Sequence, residues 1–150
     1  MRTIIDEKDK KILEILKEHS DWTTRIIAKK TNLPITTVHN RVKKLKKEGI
    51  IKKYTIETDN KKLEINFVAY VLISANLQTL KQKHKTQYDL AKELRKLWFI
   101  ERVDIVSGGT DLVAIVRVRD VDEFNNVLLG KMQLIEGIEK TRSLIVIHEG

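Results

Sequence analysis

Apolar positions recur with a helical period through the first third of the chain, then shift to alternation typical of strands. Ile12, Leu13 and Leu16 fall three and four apart, with Ile15 on the margin, behind Asp6-Glu7-Lys8-Asp9. That order predicts a helix reaching about His19, with Asp6 as N-cap and acidic residues near the positive end of its dipole. A second short helix carries Ile26, Ile27 and Ala28 on its apolar face, after Thr23 as N-cap. Asn32 stands where the chain must reverse, and Asn enters left-handed φ/ψ more readily than other non-glycine residues. Leu33-Pro34 then opens a third helix, with Pro at its first helical position. Val38, Val42 and Leu45 form one buried stripe at i, i+4, i+7, and Gly49 closes the helix. Trp22, in the connection, reads as a plug for the core rather than a stacking platform.

After Gly49 the segment Ile50–Asp59 has strand-like β-branched content and fits a wing or a connecting strand equally well. Asp59-Asn60-Lys61-Lys62 breaks the pattern as a hinge. Phe67 to Leu77 reads as a buried strand, and the polar run that follows as a loop. Leu90, Leu94 and Leu97 keep helical spacing, with Trp98 closing the face. Ile100 to Val106 alternates as a strand, Gly108-Gly109 punctuates it, and Asp111 to Arg119 returns as another. Asp120 and Glu123 resemble a capping box ahead of a helix lined by Phe124, Val127 and Leu128. Gly137 ends that element, and Ser143 to Glu149 is a last strand. The order is βαββαβ, a ferredoxin-like unit whose helices cover one sheet face and leave the other free to pair with a second subunit. The fold class is α+β, divided as a helix-turn-helix domain over 1–53, a linker strand and hinge over 54–66, and a βαββαβ domain over 67–150.

Charge sharpens this picture. Residues 25–53 hold ten Lys and Arg against Glu48 alone, a net of +9, whereas the whole chain of 150 residues is +8. Everything outside that segment therefore sums to −1, so the basicity is local, as on a phosphate-contacting face. In a helix-turn-helix the second helix of the pair enters the DNA major groove. Thr36, Thr37, His39 and Asn40 are then the expected base readers, and Arg41, Lys43, Lys44 and Lys47 the expected phosphate contacts. One such unit reads a single half-site, so a two-fold dimer on double-stranded DNA follows. The chain has no cysteine, hence no disulfide framework or zinc–thiolate site. No apolar run approaches membrane length, so a cytoplasmic protein without membrane contact is expected.

The ordered set of motifs resembles the leucine-responsive Lrp/AsnC (feast/famine) family of transcription regulators. Asp6, Asp9, Ile12, Leu13 and Leu16 are similar to its opening helix. Ala28, Leu33, Thr37-Val38, Arg41-Val42, Leu45 and Gly49-Ile50-Ile51 are similar to its helix-turn-helix. Ser107 to Leu112 resembles its Gly-x-x-Asp turn, and Gly137-Ile138 with Thr141 and Ser143 its closing segment. Three residues depart from the pattern: Pro34 where the family has a capping Ser, Thr110 where it has an aromatic, and Glu64 where it has Gly. The resemblance implies a winged-helix-like reader joined by a β-linker to a RAM/ACT-like domain. It implies dimerisation through the sheets, assembly to tetramers or octamers, and a small amino-acid effector between dimers. Gly108, Thr110, Asp111, Thr141 and Ser143 are then the effector residues, with backbone N–H groups for a carboxylate and Asp111 for an α-ammonium. A plain hairpin turn accounts for Gly-Gly and Asp equally well.

Catalysis has no footing in the sequence. His19, His39, His84 and His148 are scattered without ligand spacing, and no phosphate loop, nucleophile elbow or His-Glu-x-x-His occurs. No cofactor or metal is expected. The rival reading is an amino-acid-sensing or protein-interaction module whose basic helix meets an acidic partner without specific DNA binding.

Overall fold

Side chains able to accept from free backbone N–H groups mark where most of the helices begin. In the computed structural model, which describes residues 5–149, the chain divides into two units, Met1–Glu57 and Thr58–Gly150. Residues 1–4 and 150, included in the expected domain spans, lie outside the described residues. In the first unit α1 (Glu7–Glu18) starts at Asp6, whose Oδ1 accepts from Asp9 N–H at 2.9 Å while Asp9 accepts from Asp6 N–H. Helix α2 (Thr24–Thr31) starts at Thr23 and ends at Asn32, which takes φ 54 and ψ 35, the left-handed turn expected of it. Helix α3 (Ile35–Lys47) is followed by Gly49 at φ 71. Ile12, Leu16, Ile27, Ala28 and Val38 make the core of this unit, with Val42 and Ile51 packed against it.

Two expectations for this unit change. Pro34 has ψ 143, so it is the cap before α3 rather than its first helical residue, and it offers no side-chain bond to the free N–H groups. Trp22 does plug the core's edge, but it also stacks in parallel on His19, with ring centroids 3.9 Å apart.

The linker span of 54–66 contains no strand among the described residues. Strand-like side chains do not make a strand where the backbone has no ladder partner within the chain. Its latter part is instead a hydrogen-bonded turn: Asp59 Oδ1 accepts from Lys61 and Lys62 N–H, and Ile65 N–H donates to Asn60. Glu64 holds φ 58 there, the left-handed geometry that Gly would adopt freely.

The second unit is a four-stranded antiparallel sheet in the order β2-β3-β1-β4, formed by β1 (Phe67–Ala75), β2 (Ile100–Ile105), β3 (Leu112–Val118) and β4 (Ile138–Ile145). Between β1 and β2 lie α4 (Leu77–Gln82) and α5 (Gln87–Arg95). Between β3 and β4 lies α6 (Val121–Val127), extended by a π-helical turn over Leu128–Met132. Ala69, Val71 and Ile73 of β1 and Leu112, Ala114, Val116 and Val118 of β3 are buried with Leu90, Leu94, Phe124, Val127 and Met132. The opposite face carries Tyr70 and Leu72, paired with Ile115 and Val113 on one side and with Leu144 and Arg142 on the other. Val68 and Arg117 pair on that same face. The Arg117 guanidinium, largely covered, bonds to Glu101, to Glu149 at 2.6 Å and to the Ile65 carbonyl.

The polar run after β1, expected as a loop, contains α4. Asn76 caps it, accepting from Thr79 N–H at 2.9 Å, and the single buried Leu80 suffices to anchor it. Trp98 does not close the face of α5. The helix ends at Arg95, so helical spacing no longer governs Trp98, which is 62% exposed while Phe99 enters the core. Asp120 caps α6, but Glu123 bonds back to Arg119 N–H rather than to Asp120, so the capping box is half formed. Strand β4 starts at Ile138, five residues before the expected Ser143, because Ile73–Ala75 of β1 supplies the ladder there.

Gly137 sits at φ 101, and a Cβ there would run into the Leu80 side chain. Gly137→Ala should therefore destabilise the second unit by about 2–4 kcal/mol, from overpacking plus left-handed strain. Gly49→Ala, at φ 71 with open space around it, should cost the first unit only about 1 kcal/mol. Urea unfolding of the two variants checks the difference.

Candidate functional site

The face of α3 opposite Val38 and Leu45 is the first candidate surface. Residues four and three apart on a helix line up, so Thr36, Asn40, Lys43 and Lys47 form one outward stripe. All four are exposed. Thr37 (half-buried) and Lys44 (exposed) flank it on one shoulder, beside Asp6 and Asp9. His39 (exposed) flanks it on the other, near Trp22, Lys46 and Tyr54. Among the described residues Lys43, Lys44 and Lys47 enter no ion pair. Their charge is open to an anionic partner.

Arg41 is placed differently. Its Nη1 lies 2.7 Å from both Asp6 oxygens and 2.8 Å from Asp9 Oδ1. Asp9 is nearly fully buried, and an unpaired buried carboxylate is costly, so Arg41 serves as its counter-ion. The two carboxylates raise the Arg41 pKa. Asp6 is held below the usual carboxylate range, first by Asp9 N–H and then by Arg41. Arg41, expected as a phosphate contact, thus ties α1 to α3, because the capping box at the start of α1 aims two acids at it. Lys46, which the sequence reading did not single out, lies over the Tyr54 ring at 4.7 Å and steadies the residues after α3. Its place in the same basic run was the available signal.

The second candidate region is the turn from Gly108 to Asp111, between β2 and β3. Gly108 has φ 136, and Thr110 Oγ1 donates to the Ile73 carbonyl at 3.0 Å. The Asp111 carboxylate is already engaged: Oδ2 accepts from Ala75 N–H at 2.8 Å and Oδ1 from Gln87 Nε2 at 3.0 Å. It joins the end of β1, the start of β3 and the first turn of α5. Gly109 and Thr110 open into a small cleft on the helix-free face with Leu72, Ser74, Lys140 and Arg142. Thr141 and Ser143 pair with Ile73 and Val71, which places them on the helix-covered side, and Thr141 accepts from Gln133 at 2.7 Å. The five expected effector residues therefore do not converge on one point. The parity of β4 was the missed signal: once the strand starts at Ile138, Lys140 and Arg142 fall on the face opposite Thr141 and Ser143.

Comparison with known proteins follows these two regions. Residues 5–52 match the model of winged helix-turn-helix DNA-binding domains, and residues 69–149 match that of the Lrp/AsnC ligand binding domain. The chain is 36% identical to the HTH-type transcriptional regulator FL11 of Pyrococcus furiosus, over 98% of this chain and 92% of the relative. E. coli AsnC superposes with a TM-score of 0.83 at 27% identity, over 97% and 94% of the two chains. A transcriptional regulator of Neisseria meningitidis, solved as its complex with L-methionine, superposes with a TM-score of 0.86 at 21% identity, over 97% and 92%. Among the described residues no helix is long and apolar enough to cross a membrane.

The roles of Arg41 and Lys44 separate by experiment. Arg41→Ala should destabilise the first unit by about 2–3 kcal/mol, since it strands Asp9, yet leave the salt dependence of DNA binding unchanged when measured well below its melting point. Lys44→Ala should leave stability unchanged and flatten the salt slope by about one unit. Because the Asp6 pKa is depressed, the stability it lends is full above the ordinary carboxylate pKa of about 3.9 and is lost as pH falls through the lower folded value. Thermal melts from pH 6 down to pH 2 should therefore show this pH-dependent component reduced in Arg41→Ala, with the part due to Asp9 N–H remaining.

Proposed function

Because the chain belongs to the Lrp/AsnC family of DNA-binding transcription regulators, we propose that it reads a two-fold DNA site as a homodimer through α3 and answers to a small amino-acid effector. The observation that carries the reading is the exposed stripe Thr36, Asn40, Lys43 and Lys47, whose lysines enter no ion pair among the described residues. Thr36, Thr37, His39 and Asn40 face the base edges, and Lys43, Lys44 and Lys47 hold phosphates. Arg41 drops out of the contact set and fixes the helix that presents it. The protein acts in the cytoplasm, beside the DNA, and no catalytic step is part of this reading.

The helix-free sheet face supplies the dimer contact. Tyr70 and Leu144 are 41% and 50% exposed and stand in one cross-strand row with Ile115, a continuous apolar strip beside Leu72 and Val113 of the same face. A two-fold axis through that face closes the pair, and a dimer carries two copies of α3 for a two-fold DNA site. Tetramers or octamers built from such dimers belong to the same reading. The methionine complex of the Neisseria relative and the open Gly108–Thr110 turn support an amino-acid effector in the second unit. The ligand acts through its differential affinity for two states of the assembly.

Asn40→Ala should relax preference at one position of each half-site, a loss of ~1–3 kcal/mol of discrimination. Selection of bound fragments from random DNA reads that change directly. Unchanged preference would remove Asn40 from the reading face, and equal binding to all competitors in a gel shift would favour the rival interaction module. Analytical ultracentrifugation should find a dimer or larger assembly at micromolar concentration. A monomer both with and without DNA would overturn the two-fold reading.

A further inference from the structure

Resting on the effector reading above, we propose that the cleft beside Gly109 is selective for a small dicarboxylate, an acidic amino acid or related short diacid, rather than a neutral amino acid. The cleft, about 110 Å³, is lined by Leu72, Ser74, Gly109, Thr110, Lys140 and Arg142. Lys140 pairs in register with Ser74, and Arg142 with Leu72, so both cations share the helix-free face. They stand two residues apart on one strand, roughly 6.6 Å along it, which suits the separation of the two carboxylates in a short diacid. Neither cation has an acidic partner among the described residues, although Arg102 and Arg119 of the same unit each have one and Arg117 has two.

The donors and acceptors of the cleft favour the same ligand. Among the described residues the N–H groups of Gly108, Gly109 and Thr110 donate to no acceptor of the chain, which leaves them available to a carboxylate. Arg142 offers a planar fork for bidentate pairing. No carboxylate lines the cleft, and Asp111 bonds to Ala75 and Gln87 outside it. Among the side chains of the cleft, the Thr110 and Ser74 hydroxyls alone offer lone pairs to an α-ammonium. Thr110, small where the family resemblance leads one to expect an aromatic, leaves the cation pair uncovered. With two positive charges and no anion, the cleft holds a monocarboxylate zwitterion with half its charge unmet, and a dianion with its charge matched. The cleft lies at the end of the face assigned to dimer pairing, so the ligand's charge bears on how two copies meet.

The test is calorimetric titration of the full chain with succinate, 2-oxoglutarate, aspartate and glutamate, against leucine, methionine, lysine and inorganic phosphate. Arg142→Gln and Lys140→Gln are run beside the unsubstituted protein. The expected result is binding of one or more diacids, weakened at least tenfold by either substitution, with the neutral and basic amino acids and phosphate at least tenfold weaker. A neutral or basic amino acid that bound most tightly, indifferent to both substitutions, would overturn the dicarboxylate assignment and leave the effector reading standing. Phosphate bound as tightly as any diacid would reduce the cleft to a simple anion site and overturn the assignment as well. No binding by any of these at millimolar concentration would overturn both the assignment and the effector reading.

Discussion

A carboxylate taken out of water needs a counter-ion, and in the first unit Asp9 finds its own in Arg41. Much of the DNA-facing geometry depends on this pairing. The capping box of α1 orients Asp6 and Asp9, these two fix the Arg41 side chain, and Arg41 ties the middle of α3 to the head of α1. Pro34 gives α3 no side-chain cap of its own, so the tether from α1 contributes support that a capping hydroxyl would otherwise share. A basic residue on a basic helix is thereby paired with acids of the chain and helps hold the helix in place.

The second unit repeats this logic with another carboxylate. Asp111 gathers the end of β1, the start of β3 and the head of α5 into one hydrogen-bonded node. In the turn beside it Thr110 Oγ1 donates to the Ile73 carbonyl, while the N–H groups of Gly108, Gly109 and Thr110 donate to no acceptor among the described residues. Polar groups already satisfied within the chain describe architecture; those left over, the α3 lysines and the pair on β4, describe what the molecule can still bind.

The main elements were legible because their signals are local. Asn32 and Gly49 took their left-handed turns, Thr23 and Asp6 capped their helices, and the strands expected from Phe67, Ile100 and Asp111 formed as β1, β2 and β3. What the sequence concealed was set by partners distant along the chain. Arg41 reads as one more cation until Asp6, 35 residues away, is brought to it. The bonds of Asp111 to Ala75 and Gln87, 36 and 24 residues away, are equally invisible to a local rule. The early start of β4 depends on the length of β1, and only that start reveals which residues of β4 face the cleft. Residues 54–58 look like a strand to any local rule, but a ladder requires a second backbone.

Arg117 has a topological consequence. Its guanidinium bonds to the Ile65 carbonyl, two residues before β1, and to Glu149, four residues after β4, so one side chain holds both ends of the second unit's fold. The path of the backbone through this unit is therefore close to a ring, interrupted at a single point. Ends held that near each other are the condition under which circular permutation is tolerated. A short peptide could join them, and new termini could be cut at the exposed Lys83-His84 turn, without changing the order of strands in the sheet.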